Sequence, residues 1–213
     1  MSLLAYLIFG LAAAMMLGWR RGVRTNQLLL VETCAATERV FQPSDTSYTN
    51  IGGLVGYNFS YQLNSAAFHR LDGTITTLPR QSLLYYPMAR FMGREDNLIL
   101  TLFCHSLAPG EGHIVEERQF SRGWIPIDDD TSMQCETVEH GELRFLLFSY
   151  NPIVRSLLFS MLARLSDVCS LRYIGYYGSN RYISLRFHPG SAELETQIDE
   201  LRRVLAALVV ARL

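Results

Sequence analysis

The first nineteen residues, Met1 to Trp19, carry no charged side chain, and Arg20, Arg21 and Arg24 come directly after. A run like this has few solutions, because a helix made from it is apolar on every face and needs lipid or a large core around it. From Leu3 to Trp19 the helical rise covers about 26 Å, near the short end of what crosses a bilayer. Lipid satisfies no backbone polar group, so the run crosses only as a helix, with Trp19 at the headgroup boundary. Leu3, Leu4, Leu7, Ile8, Phe9, Leu11, Leu17 and Trp19 are thus the expected membrane anchor, and Arg20, Arg21 and Arg24 its basic flank. Positive charge on the C-terminal side predicts a single-pass topology. The N-terminus lies outside and the bulk of the chain in the cytoplasm, or in a stroma or matrix equivalent. The rival is a cleaved secretory signal: Leu3 to Leu11 has the length of its apolar core and Ala12, Ala13 and Ala14 offer a cleavage site, but a basic front end is missing.

Beyond the anchor, this 213-residue chain is long enough for one well-buried domain and too short for two large ones. The expected division is 1–24 for the anchor and its flank, 25–50 for a connecting helix and loop, and 51–213 for a soluble α+β domain. A net charge of −1 with scattered charges argues against nucleic acid as a partner. All 19 basic residues are arginine. A lysine-free chain has no Walker A loop, pyridoxal Schiff base, kinase strand lysine or Ser-Lys dyad. Cys34, Cys104, Cys135 and Cys169 are far apart and form no C-x-x-C pair, so neither a zinc site nor a redox motif is expected. A reducing compartment would keep them free, whereas the inverted topology would permit disulfides.

Along the chain, Thr25 to Phe41 places Leu28, Val31, Cys34 and Ala35 on one helical stripe, and Pro43 ends that helix. Pro43 to Asn50 and Gly52-Gly53 read as loop. Tyr57, Phe59, Tyr61 and Leu63 alternate with polar residues, the pattern of a half-buried antiparallel strand. Asp72-Gly73 between Phe68–Leu71 and Thr74–Leu78 predicts a tight hairpin turn. Leu98 to Cys104 is a central strand, His113 to Phe120 another, and Ser121 to Met133 a loop. From Leu143 the order reads β-α-β-β-α: a strand to Tyr150, a helix capped by Asn151-Pro152 and running to about Val168, a hairpin about Gly178-Ser179-Asn180, and a final helix after Pro189-Gly190-Ser191. The expected class is α+β, a mostly antiparallel sheet whose last part has a ferredoxin-like order of elements.

Candidate sites are few. In the final helix Leu194, Ile198, Leu201, Leu205 and Leu208 have coiled-coil spacing, and Val204 to Ala211 is apolar on nearly every face. Ile198, Leu201, Leu205, Leu208 and Val209 are therefore the expected partner interface, against core packing as the alternative. Arg80, Tyr85, Tyr86, Arg90 and Arg94 form an arginine-aromatic cluster able to hold a carboxylate or a lipid phosphate. The five histidines sit singly, and Asp128, Asp129 and Asp130 lack the alternate ligands of a calcium loop, so no metal site, cofactor or catalytic residue is expected. Cys104-His105 cannot act as nucleophile and base by adjacency, since neighbouring strand residues face opposite ways. Asn58-Phe59-Ser60 matches a glycosylation sequon, at a strand position that makes a poor acceptor. The expected function is a non-enzymatic, membrane-anchored accessory subunit or assembly factor, binding subunits of an integral membrane complex through its soluble domain. A membrane-tethered anion sensor is the alternative and a cysteine-dependent hydrolase the third reading.

Overall fold

A computed structural model describes residues 3–210; Met1, Ser2 and Ala211 to Leu213, which belong to the expected anchor and C-terminal helix, lie outside the described residues. The predicted anchor and connecting helix are one element, α1 (Leu3–Phe41), 39 residues long and so about 58 Å from end to end. No proline interrupts it, and it stops where Gln42 takes a positive φ of 46° ahead of Pro43. Its second half packs on the domain, but through a face rotated from the predicted stripe. Gly22, Asn26, Leu30, Thr33, Ala36 and Thr37 are buried, whereas Leu28 and Val31 are exposed. Small and hydrogen-bonded residues let the helix lie close against its neighbours, and apolarity alone does not reveal them.

The sheet has nine strands in the order β1-β2-β3-β4-β9-β8-β5-β7-β6, every adjacent pair antiparallel. The expected loop before Asn50 is in fact strand β1 (Asp45–Asn50), an exposed edge paired along β2 (Gly56–Gln62). Its sequence, DTSYTN, has one large apolar side chain, Tyr48. The Tyr48 ring packs edge-on to Tyr61 and its hydroxyl shares a 2.6 Å hydrogen bond with the Tyr61 hydroxyl. The expected Asp72-Gly73 hairpin turn does not form. Both residues lie inside one strand, β3 (Phe68–Thr76), and the chain reverses earlier, between Gln62 and Phe68. Gly73 stands directly across from Phe59, whose ring covers it so closely that a methyl group there would overlap the ring. The glycine serves packing, and Asp72 on the outer face accepts from Ser60 Oγ at 2.7 Å.

β4 (Asn97–Cys104) is central as expected, burying Leu98, Leu100, Leu102 and Cys104. β5 (Glu111–Glu116) is shorter than predicted, because residues 117–121 turn into the short helix α3 (Glu117–Ser121). A strand that the sequence does not announce, β6 (Gln134–His140), forms the other sheet edge beside β7 (Leu143–Ser149). Helix α4 (Pro152–Ala163) begins as predicted, with the Asn151 side chain accepting from the Ile153 N–H at 2.6 Å. It ends at Ala163, ahead of the expected Val168, although Leu165 and Val168 stay buried.

The hairpin β8 (Leu171–Tyr177) and β9 (Tyr182–Phe187) and the helix α5 (Leu194–Val210) complete the predicted order along the chain. The ferredoxin-like arrangement is not reproduced in space, since β5 and not β9 lies between β7 and β8. Helices α1, α4 and α5 line one face: α5 contacts both α1 and α4, and α4 lies on β5 and β7. On the opposite face the segment 117–133 covers Val115, Phe148 and Tyr173 with Ile125, Ile127 and Met133.

Because Gly73 is sealed by a neighbouring ring, Gly73→Ala should lower stability by about 1–3 kcal/mol, as overpacking does. Urea unfolding of the full chain in mild detergent measures it, and no loss would show that the Phe59 ring can move aside.

Candidate membrane interface and arginine-tyrosine cluster

The N-terminal half of α1 touches almost nothing else in the fold. Leu3, Leu4, Leu7, Ile8, Phe9, Leu11, Leu17 and Trp19 are all exposed, and α1 is long and apolar enough to cross a membrane. Each such side chain left in water forgoes roughly 1.5–3 kcal/mol of burial. Arg20, Arg21 and Arg24 come next, exposed and without a carboxylate partner among the described residues.

Below them, the segment from Thr77 to Leu83 climbs α1. The Asn26 side-chain amide donates to the Leu78 carbonyl at 2.8 Å. One turn nearer the N-terminus, Gly22 meets the Arg80 backbone, where any methyl group would overlap the Arg80 carbonyl. One turn further, Gly18 receives the Leu83 side chain. Arg80 fixes this path from the other side: its guanidinium forks onto Asp96 at 2.8 and 2.6 Å and donates to Asn26 Oδ1 at 3.0 Å. Asp96 also accepts the Leu78 N–H at 2.7 Å. Loop, helix and the residue that leads into β4 are thus tied by one network, and the hydrogen bonds to Asp96 raise the Arg80 pKa further.

The predicted anion cluster is partly brought together by this path. Arg94 donates to the Tyr85 hydroxyl at 3.0 Å, and Tyr86 lies under the Arg80 guanidinium. Arg80 itself is neutralised by Asp96, while Arg90 stands exposed on the short helix α2 (Tyr85–Phe91). What the sequence does not reveal is the company of these arginines: Leu83, Leu84, Met88, Phe91 and Met92 are all exposed. Pro87 and the seven-residue length of α2 hide the signal, which is the crowding of large apolar side chains into residues 83–92. Behind α2, an open cleft on the far face of the sheet is lined by Arg94, Glu95, Asn97, Gln119, Trp124 and Arg186. Burial lowers the Arg186 pKa, and its Nη1 donates to the Trp124 carbonyl at 3.3 Å.

The remaining candidates are dispersed. Ile198, Leu201, Leu205 and Val209 are buried in the main core, and Leu208 packs partly against it, so the sheet accounts for their apolarity and a partner need not. Burial pushes the Cys104 thiol up to about 12 and, with Glu38 nearby, the Cys34 thiol up to about 11. Exposed Cys135 and Cys169 are also raised, first by desolvation. Thiols held protonated are poor nucleophiles, and among the described residues no histidine hydrogen-bonds to any of them. His105 instead faces the Ser65 carbonyl at 3.2 Å. No group of three or more His, Cys, Asp or Glu able to hold a metal ion occurs among the described residues. Asp129 orders its loop, accepting from Ser132 Oγ and the Tyr150 hydroxyl at 2.8 and 2.7 Å. His113 is buried with Nδ1 at 2.8 Å from the Tyr173 hydroxyl.

Compared with known proteins, the chain matches no family model, and no curated protein matches it significantly.

Arg80→Ala strands Asp96, whose side chain is 5% exposed, as an unpaired charge. A loss of about 3 kcal/mol is expected in urea unfolding, and the double change Arg80→Leu with Asp96→Leu should lose less. A pH dependence is expected as well. Burial lowers the His113 pKa below 6.5 against the opposing pull of Glu111 and Asp128. The unfolded chain therefore takes up a proton near pH 6.5 that the folded chain refuses. Stability from this group is full above about pH 6.5 and is lost as pH falls toward the folded value. His69, also lowered, is exposed and contributes less. Urea midpoints between about pH 7.5 and 5 should fall in the parent and fall less in His113→Phe.

Proposed function

We propose that the protein is a non-enzymatic, single-pass accessory subunit or assembly factor of an integral membrane complex. In this reading α1 is retained in the bilayer, with its N-terminus outside and the sheet domain in the cytoplasm, stroma or matrix. One observation carries it: α1 is unbroken, yet its first half is bare and apolar while its second half is built into the domain. Such a helix holds a soluble domain at fixed height and tilt above a bilayer, which suits a part that must meet neighbours embedded in the same membrane.

Exposed apolar side chains support protein partners. Leu28 and Val31 continue the bare side of α1 past the arginines. Ile153, 63% exposed, and Phe159 stand out from α4. The arginine collar supports the orientation, and four unbridged cysteines are compatible with a reducing compartment. A second reading, an anion-sensing domain, is favoured by Arg186, a half-buried guanidinium in the cleft beside Arg94 that has no carboxylate partner among the described residues. Citrate or inorganic phosphate should then raise the melting temperature of the parent and not of Arg186→Gln.

Orientation is read by a membrane-impermeant maleimide, which should label exposed Cys135 and Cys169 only after the membrane is opened. Labelling of intact cells or organelles would reverse the topology. Gentle detergent extraction should bring down integral membrane proteins in fixed ratio, and a lone monomer would count against a subunit role. A mature chain beginning beyond residue 14 would make the apolar run a cleaved signal.

A further inference from the structure

We infer that the segment Leu83–Met92 is a second membrane contact, a foot that rests in the headgroup and acyl boundary of the bilayer that α1 enters; it builds on the proposal that α1 stays in that bilayer. The climb of the chain along α1 sets its height. Leu78 is held at Asn26, Arg80 at Gly22 and Leu83 at Gly18, so from Asn26 to Gly18 the chain rises about 12 Å along the helix axis toward the apolar end. Gly18 immediately precedes Trp19, Arg20 and Arg21, the residues that belong at the level of the headgroups. Leu83 therefore reaches the lipid boundary, and α2 continues there.

At that height the side chains have the chemistry of a lipid surface. Leu84 is 85% exposed and Phe91 93%, with Tyr85, Met88 and Met92 also bare, while Ala89 is buried and holds α2 to the domain. From Pro79 to Arg94 there is no acidic residue, and Arg90 and Arg94 join Arg20 and Arg21 as cations able to meet lipid phosphates. The patch is continuous with the bare half of α1 through the Gly18–Leu83 contact, so one apolar phase covers both.

The test uses the full chain in vesicles of phosphatidylcholine and phosphatidylglycerol, with Phe91→Trp adding a fluorophore to native Trp19 and Trp124. Lipid brominated near the top of its acyl chains should quench most of the emission that Phe91→Trp adds. It should leave untouched the emission added by Glu142→Trp, in the turn between β6 and β7. Arg90→Gln with Arg94→Gln should reduce the quenching and its dependence on phosphatidylglycerol. If parent Trp19 is quenched and the emission added by Phe91→Trp is not, the foot is wrong while the anchor stands. If neither is quenched, the anchor has failed first and the foot with it. Protection of the added emission from aqueous iodide, without quenching by lipid, would place a second protein copy on the patch and also overturn the inference.

Discussion

Everything about the placement of this chain depends on the seam where Asn26 and Gly22 of α1 meet the segment 77–83. A long helix that is apolar at one end and packed at the other has no hinge, so whatever the domain does it does at a fixed attitude to its N-terminal half. The seam is polar at its centre: Asn26 donates to a loop carbonyl and accepts from Arg80, and Arg80 closes on Asp96. Hydrogen bonds of this kind are directional, and they fix register along the helix in a way that greasy contact does not. Gly22 has the complementary role of letting backbone approach backbone.

The sheet and its helices divide their labour accordingly. Strands β4, β8 and β9 supply the middle of the core, and α5 and the second half of α1 cover it from one side. The coiled-coil spacing of α5 is satisfied internally by that packing. With Ile198 and Leu201 buried, the bare apolar side chains of the helical layer lie on α4 and on the outer side of α1, where Phe159 and Val31 stand free. Cys104 and Cys34 pack in or against the core, where desolvation raises both thiols and makes them poor nucleophiles.

Much of this is legible where burial leaves a local imprint. The alternating aromatics of β2, the apolar run of β4 and the Asn151-Pro152 helix start all match expectation, because each is dictated by neighbours in sequence. Local pattern misleads where the deciding partner is distant. β1 exists because β2 offers it a pairing edge, and Gly73 is glycine because Phe59 lies over it, not because the chain turns. The packed face of α1 escapes an apolar stripe because Asn26 and Thr37 are buried by virtue of hydrogen bonds, to Leu78 and to Thr33. Of the arginine-tyrosine cluster, the pairing of Arg94 with Tyr85 is local enough to foresee, whereas the capture of Arg80 by Asp96 needs the fold.

The two rims of the sheet remain. β1 offers hydroxyls, amide and one acid along its length, and β6 carries Glu136 and Glu139 on an exposed strand. An uncovered rim is a template for another molecule's backbone, and like charges or heavily hydrated side chains are the usual deterrent. The polarity of both rims lets the sheet end at nine strands without recruiting a strand from another molecule.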